Sequence, residues 1–263
     1  MAMDLNLSGK NALVCGSTAG IGLASAIELA VLGASITLLG RNEEKLQKTL
    51  PLLSTAAGQY HSYLVADLSD PASLKDKIGR QLSETTFHIL INNTGGPAPG
   101  QAIDADFGDF LNAFKMHLGS SQTITQMVVP QMKSSGYGRI INIISTSVKI
   151  PLAGLGVSNT IRGAMASWAK TLSLELGPFG ITVNNVLPGS TMTGRLDALI
   201  RNKAEKAGKT YEKIKEEMMA EVPLRRISEP HEVAAMVAFL ASPAASYVSG
   251  TSIPVDGGRT GSI

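Results

Sequence analysis

The stretch Cys15–Gly22, CGSTAGIG, decides how this chain is read. It closes the apolar run Asn11–Cys15 and opens a helical pattern over Ile21–Leu32, which Gly33 stops. Glycines placed as Gly16, Gly20 and Gly22 permit a tight turn and let backbone N–H groups approach a pyrophosphate at a helix N-terminus. A glycine pattern alone is weak evidence. With a strand before it and a helix after it, the pattern reads as a dinucleotide-binding turn. The competing reading is a purely structural strand–helix turn.

The alternation continues outward. Runs rich in apolar and β-branched residues recur at Ser35–Leu39, Ser62–Val65, Ile89–Asn92, Arg139–Ile144, Thr182–Leu187 and Ser252–Val255. Most are apolar throughout, as strands covered on both faces should be. Helical patterns at 43–53, 71–83, 107–133, 159–176 and 230–240 separate them. Such repetition implies right-handed crossovers. The expected fold is α/β: a Rossmann-like, doubly wound parallel β-sheet with helices on both faces. No repeat, linker or shift in composition divides the 263 residues, so a single domain over 1–263 is expected. Residues 189–222 interrupt the rhythm with charges interleaved among Leu196, Leu199, Ile200, Met218 and Met219. They read as a solvated helical pair or as a lid-like helical insertion. Their position after a strand's carboxyl end, where such folds bind ligands, favours the lid.

Hydrophobic residues make up 44% of the chain and charged residues 17%, a globular composition. A net charge of +2 provides no field for nucleic acid. The one cysteine, Cys15, sits in an apolar run and reads as buried and structural. No apolar run is long enough to span a bilayer, and MAMDLNLSGK does not read as a signal peptide. A cytoplasmic location is expected, with no membrane partner and no metal.

The end of the second strand decides the cofactor. An NAD site wants an acidic side chain there for the ribose 2′-hydroxyl. Leu39–Gly40–Arg41–Asn42 has none before Glu43, and the Arg41 guanidinium can clasp a 2′-phosphate. NADP(H) is therefore expected in preference to NAD(H). The alternative is an ordinary exposed arginine.

Five motifs now stand together. They are the glycine loop, Ala66–Asp67–Leu68, Asn92–Asn93–Thr94–Gly95, Pro188–Gly189 and Val255–Asp256–Gly257–Gly258. In this combination the chain resembles the short-chain dehydrogenase/reductase family over nearly its whole length. The type is compact and single-domain, similar to 3-oxoacyl-ACP reductases. The resemblance implies that Gly16, Ser17, Gly20, Ile21 and Gly22 hold the cofactor. It implies Asp67, with Leu68, at the adenine, and Asn92 and Gly95 along the adenosine side. Pro188, Gly189, Thr191 and Thr193 would embrace the nicotinamide end. Ala19 departs from the basic residue of many NADP-using relatives, which leaves the phosphate to Arg41.

The family's catalytic Asn, Ser, Tyr and Lys are only partly present. Ser145 matches the Ser, but Ser158 stands at the Tyr position, Arg162 at the Lys position and His117 at the Asn position. A serine hydroxyl is a far weaker acid than a phenol, whose pKa is about 10. Arg162 can anchor ribose hydroxyls or phosphate, yet hardly shuttles protons. His117 is the obvious replacement acid, because imidazole titrates near neutral pH; packing inside its helix is the plainer role. Lys149 is a second candidate.

Ser145 and Ser158 can still bind a substrate oxygen. Leu155, Met192, Leu196 and Met219 suggest an apolar pocket, Gly95–Gly100 a rigid wall of it, and Trp168 a helix-interface residue. Two functions follow. One is an NADP(H)-dependent oxidoreductase acting on a small apolar carbonyl or secondary alcohol with a rebuilt proton-transfer site. The other is a catalytically weak or inactive NADP(H)-binding sensor or partner protein. By analogy with the family, a homodimer or homotetramer is expected, packed through the Phe107–Lys133 helix and the helix after Ser158.

Overall fold

The computed structural model describes residues 3–262. Strands β1 (Asn11–Cys15), β2 (Ser35–Gly40) and β3 (Ser62–Val65) alternate with helices α1 (Gly20–Val31), α2 (Glu43–Thr49) and α3 (Pro71–Glu84). Then come β4 (Ile89–Asn92), α4 (Phe107–Phe114), α5 (Ser120–Ser135), β5 (Gly138–Ile143) and α6 (Gly156–Leu176). The chain closes with β6 (Ile181–Pro188), α7 (Gly194–Ala207), α8 (Tyr211–Ala220), α9 (Pro230–Ala241) and β7 (Ser252–Val255). All the strand pairings are parallel, in the order β3-β2-β1-β4-β5-β6-β7. The order reverses between β1 and β4, which opens a crevice above the carboxyl ends of the strands.

Alternate residues of each strand feed opposite faces of the sheet. Val14, Ile36, Leu38, Ile91 and Ile141 pack with Leu29 of α1 and Val233 and Val237 of α9. Leu13, Leu39, Leu90 and Ile140 pack with Leu74, Ile78, Val128 and Ala169 of α3, α5 and α6. Cys15 belongs to this second core, where burial pushes its thiol up to about 12. At that pKa the thiol is inert.

Three element boundaries differ from the sequence expectation. The helix expected over 43–53 ends as α at Thr49, and a 3-10 turn carries Leu50–Leu52 through Pro51, which has no N–H to continue the ladder. The long helix expected over 107–133 is two helices joined by a π-turn, Lys115–Gly119, with His117 at its middle. Such bulges cluster at functional sites. Helix α6 begins at Gly156, so Ser158 lies within its first turn instead of before it. Residues 189–222 hold α7 and α8, which form a small core of Ile200, Ala204 and Ile214 that Ile227 from the following loop joins. No helix among the described residues is long and apolar enough to cross a membrane.

Candidate functional site

The glycine loop is shaped by contacts that exclude a side chain. A Cβ on Gly22 would lie 2.2 Å from the Gly16 carbonyl oxygen, and Gly16 itself has a left-handed φ of 58°. Asn93 fastens the loop: its Nδ2 donates to the carbonyls of Gly16 (3.1 Å) and Cys15 (3.3 Å). Buried Ser17 donates through both N and Oγ to the Leu39 carbonyl, so it ties the loop to β2.

The N-terminus of α1, like that of α6, has no side-chain cap. Helices α2, α3, α7 and α8 are capped by the side chains of Asn42, Asp70, Thr193 and Thr210, and at the starts of α4 and α9 the Asp109 and Glu232 carboxylates accept from the backbone N–H of Asp106 and Glu229. Ala19 caps α1 with no side-chain oxygen, and no acidic residue occupies its first turn. Its N–H groups and dipole are thereby left for an external anion.

Past that loop, Arg41 and Asp67 meet at the adjoining ends of β2 and β3, where Gly40 pairs with Val65. Arg41 Nη1 lies 4.0 Å from Asp67 Oδ2, and both groups are exposed. The Asp67 carboxylate accepts from Ser69 N (2.9 Å) and Ser69 Oγ (2.7 Å), which holds its pKa below the ordinary value. Leu68 packs against the core beside it.

Between the glycine loop and α7 lies a cavity of about 840 Å³. Its walls include Gly16, Gly20, Ile21, Gly95, Ser145, Ser158, Arg162, Pro188, Gly189, Thr191 and Thr193, so residues from five parts of the chain converge there. Thr193 accepts from Leu196 N at the start of α7, and Ser228 Oγ donates to Thr191 Oγ1 (2.9 Å). Ser145 Oγ accepts from Ser147 N (3.1 Å), closing the turn after β5. No tyrosine lines the cavity among the described residues.

Arg162 is 8% exposed; its Nη1 donates to the Ile143 carbonyl (3.0 Å), and its Nε has no partner. Burial, with Arg195 nearby, brings its pKa down to about 10, so it stays charged at neutral pH.

Several expected site residues lie elsewhere. His117 is buried outside the cavity wall, with Nδ1 hydrogen-bonded to Thr94 Oγ1 and Nε2 without a partner. Burial first, then the charges of Arg162 and Arg195, lowers its pKa to about 3. The imidazole is therefore neutral where the sequence suggested a group titrating near pH 7. Thr94, not His117, faces the cavity.

The Asn92 side chain is turned into the sheet. It donates to Asn142 (2.8 Å), Asn142 donates to Asn185 (2.9 Å), and Asn185 donates to Ser252 (3.0 Å), a buried amide chain crossing four strands. Lys149 is exposed and absent from the walls.

The apolar lining includes Leu152, Leu155, Leu196, Leu199 and Met218. Met192 and Met219 pack instead within the small core of α7 and α8. Trp168 joins α6 to α5 through Nε1, which donates to Gln122 (2.8 Å).

The 95–100 loop lines the cavity, where the sequence placed a rigid wall, whereas Arg195 carries no local sequence signal. The 95–100 loop rests on the start of α6: Gly100 N donates to Gly154 O (2.8 Å) and Gly156 N to Gly100 O (2.9 Å). A Cβ on Gly156 would lie 2.3 Å from Ala102 N, so only glycine admits this approach. From α7, Arg195 donates to the carbonyls of Gly96 (2.7 Å) and Pro97 (2.9 Å), bridging the cavity's rim.

Parallel topology, an uncapped helix behind a glycine turn and a cavity at the switch point define a dinucleotide-binding class of α/β protein. A family model described as enoyl-(acyl carrier protein) reductase matches residues 16–260. The chain belongs to the short-chain dehydrogenase/reductase family. It is similar to the NADPH-dependent reductase BacG of Bacillus subtilis, 31% identical over 98% of this chain and 100% of that protein. It is also similar to the 7alpha-hydroxysteroid dehydrogenase of Escherichia coli, 29% identical over 97% and 96%. Among solved structures, L-sorbose reductase from Gluconobacter frateurii, complexed with NADPH and L-sorbose, superposes with a TM-score of 0.93. It shares 27% identity, over 99% of this chain and all of that one.

Proposed function

We propose that this protein is an NADP(H)-dependent oxidoreductase acting on a carbonyl or secondary alcohol, with electrostatic polarisation replacing the tyrosine acid. The observation that carries the reading is one cavity joining the uncapped α1 N-terminus to Ser145, Ser158 and a charged, buried Arg162. NADPH-dependent reductases among its relatives support the cofactor.

The residues present fit that cofactor. The α1 turn of Gly20, Ile21 and Gly22 would take the pyrophosphate and Arg41 the 2′-phosphate. Asp67 and Leu68 would flank the adenine; Pro188, Gly189, Thr191 and Thr193 would hold the nicotinamide end. Bound there, the nicotinamide supplies hydride to a carbonyl carbon or receives it from an alcohol.

The chain's own groups act on oxygen. Ser145 and Ser158 hydroxyls donate to the substrate oxygen, and the Arg162 guanidinium stabilises the charge that develops on it. Arg162 remains protonated throughout, so the proton that completes the alcohol comes from water admitted to the cavity. Neutral His117 orients the Thr94 hydroxyl at the wall. Helices α7 and α8 act as a lid, held down by Arg195. Assembly as a homodimer or homotetramer is supported by exposed Phe107, Leu111 and Phe114 on one face of α4.

A second reading, a nucleotide-binding protein without turnover, is favoured by the absence of a phenol from the described walls. NADPH oxidation across a panel of ketones and quinones separates the two, and turnover with none of them defeats the enzyme reading. The variant Ser158→Tyr with Arg162→Lys sharpens the test. It should reduce an accepted ketone roughly 10²-fold faster than the parent, near the lower end of what a positioned acid contributes. Because the phenol needs the ammonium beside it, the gain should exceed the sum of the two single changes.

A further inference from the structure

The cavity walls carry a charge imbalance that the cofactor does not explain. Arg162, Arg195, Lys203, Lys206 and Arg259 line it, against a single carboxylate, Glu221, which is already bound to Arg259. Arg162 is nine-tenths buried with Nε unpartnered, and neither it nor Arg195 has a carboxylate within ion-pair distance among the described residues. A buried cation without a counter-charge is costly, so such a site is built to receive an anion. The cofactor's phosphates do not reach its far end. They belong at the α1 N-terminus and Arg41, whereas Lys203 lies ten residues along α7 from Thr193, about 15 Å at helical rise. Ribose hydroxyls can accept from Arg162 but do not neutralise it.

Resting on the oxidoreductase reading above, we infer that the substrate is a carbonyl compound carrying its own carboxylate, which Arg162 and Arg195 bind while Lys203 and Lys206 draw it to the mouth. A planar guanidinium matches a carboxylate in shape and charge. Leu152, Leu155, Leu199 and Met218 cover the hydrocarbon body, so the substrate is amphiphilic instead of simply apolar. The carbonyl takes up hydride at carbon and a proton at oxygen, leaving the hydroxy acid and oxidised cofactor.

The test uses 2-oxohexanoate and 5-oxohexanoate, their methyl esters and 2-hexanone. NADPH oxidation should favour one acid over its ester by about tenfold or more in kcat/KM. Arg162→Met should slow every compound by removing the charge that stabilises the carbonyl oxygen, and beyond that erase the ratio of acid to ester; Arg195→Gln carries the same comparison of ratios if that variant does not fold. Calorimetric titration of each acid into NADP⁺-loaded protein gives a readout free of turnover. Esters or hexanone turned over as well as the acids would overturn the carboxylate site and leave the oxidoreductase reading standing. Binding of an acid that depends on Arg162, without turnover of any compound, would keep the carboxylate site and defeat the oxidoreductase reading. Acids that neither bind nor react would overturn the inference.

Discussion

At the carboxyl end of β1 the ligand-facing surface is backbone: a glycine turn, an uncapped helix and an asparagine that holds carbonyls in place. At the carboxyl end of β5 it is side chain: two serines and a buried arginine on a turn and a helix, with a second arginine reaching in from α7. The first surface can be specified by leaving atoms out, and any intrusion blocks it. The second depends on which functional groups stand in the wall, and these can be exchanged without disturbing the sheet below. The nucleotide end accordingly follows the family's pattern, while the reaction end carries Ser158 and Arg162 on the same scaffold.

Gly22→Ala should have the largest effect, because it attacks the backbone surface directly. Its Cβ would stand 2.2 Å from the Gly16 carbonyl, so loop and helix must part. We expect a loss of about 1–3 kcal/mol in stability and roughly 10- to 100-fold in NADPH affinity, read by thermal melts and calorimetry. Unchanged affinity would mean that the loop does not carry the phosphates.

Arg41→Ala tests the side-chain part of the nucleotide end. Its guanidinium is exposed and only 4.0 Å from the Asp67 carboxylate, so its contribution to stability is small. NADPH should weaken by roughly tenfold while NADH hardly changes, which narrows the gap between them. Equal affinities for the two in the parent protein would remove the 2′-phosphate from the argument.

His117→Asn has the smallest expected effect, and it separates a buried neutral imidazole from a working acid. Above pH 6.5 the imidazole is neutral in folded and unfolded chains alike. As pH falls, the unfolded chain takes up the proton first and the fold resists down to about 3, so stability is lost progressively across that window. The variant should lose less stability over the same range in acid melts, and kcat of the parent should show no step near pH 6.5. A neutral-pH step that His117→Asn abolishes would restore the imidazole to proton transfer.

The glycine turn and the strands around it were legible because their requirements are local. The glycine spacing, the strand before it and the missing acid after β2 are each contained in a few residues. The reaction end was legible only in part. Ser145, Ser158 and Arg162 could be counted to, and they do meet at one cavity. Arg195 was not legible, because its partners lie 98 and 99 residues away. Nor could the pattern tell Leu199 and Met218, which line the cavity, from Met192 and Met219, which pack among the helices. Helical spacing gives a face without saying what the face meets.

Sequence alone determined the alternation of strand and helix, hence the parallel sheet, its switch point and the crevice through which the proposed nucleotide would enter. Those follow from periodicity and from glycine's missing side chain, both properties of short segments. Only the tertiary structure decided the chemistry around that entry. It buried His117 and lowered its pKa to about 3, turned Asn92 into an amide chain within the sheet and left Arg162 charged with no carboxylate in ion-pair range among the described residues. Protonation and pairing depend on desolvation and on neighbours brought together from distant parts of the chain, which no local pattern encodes.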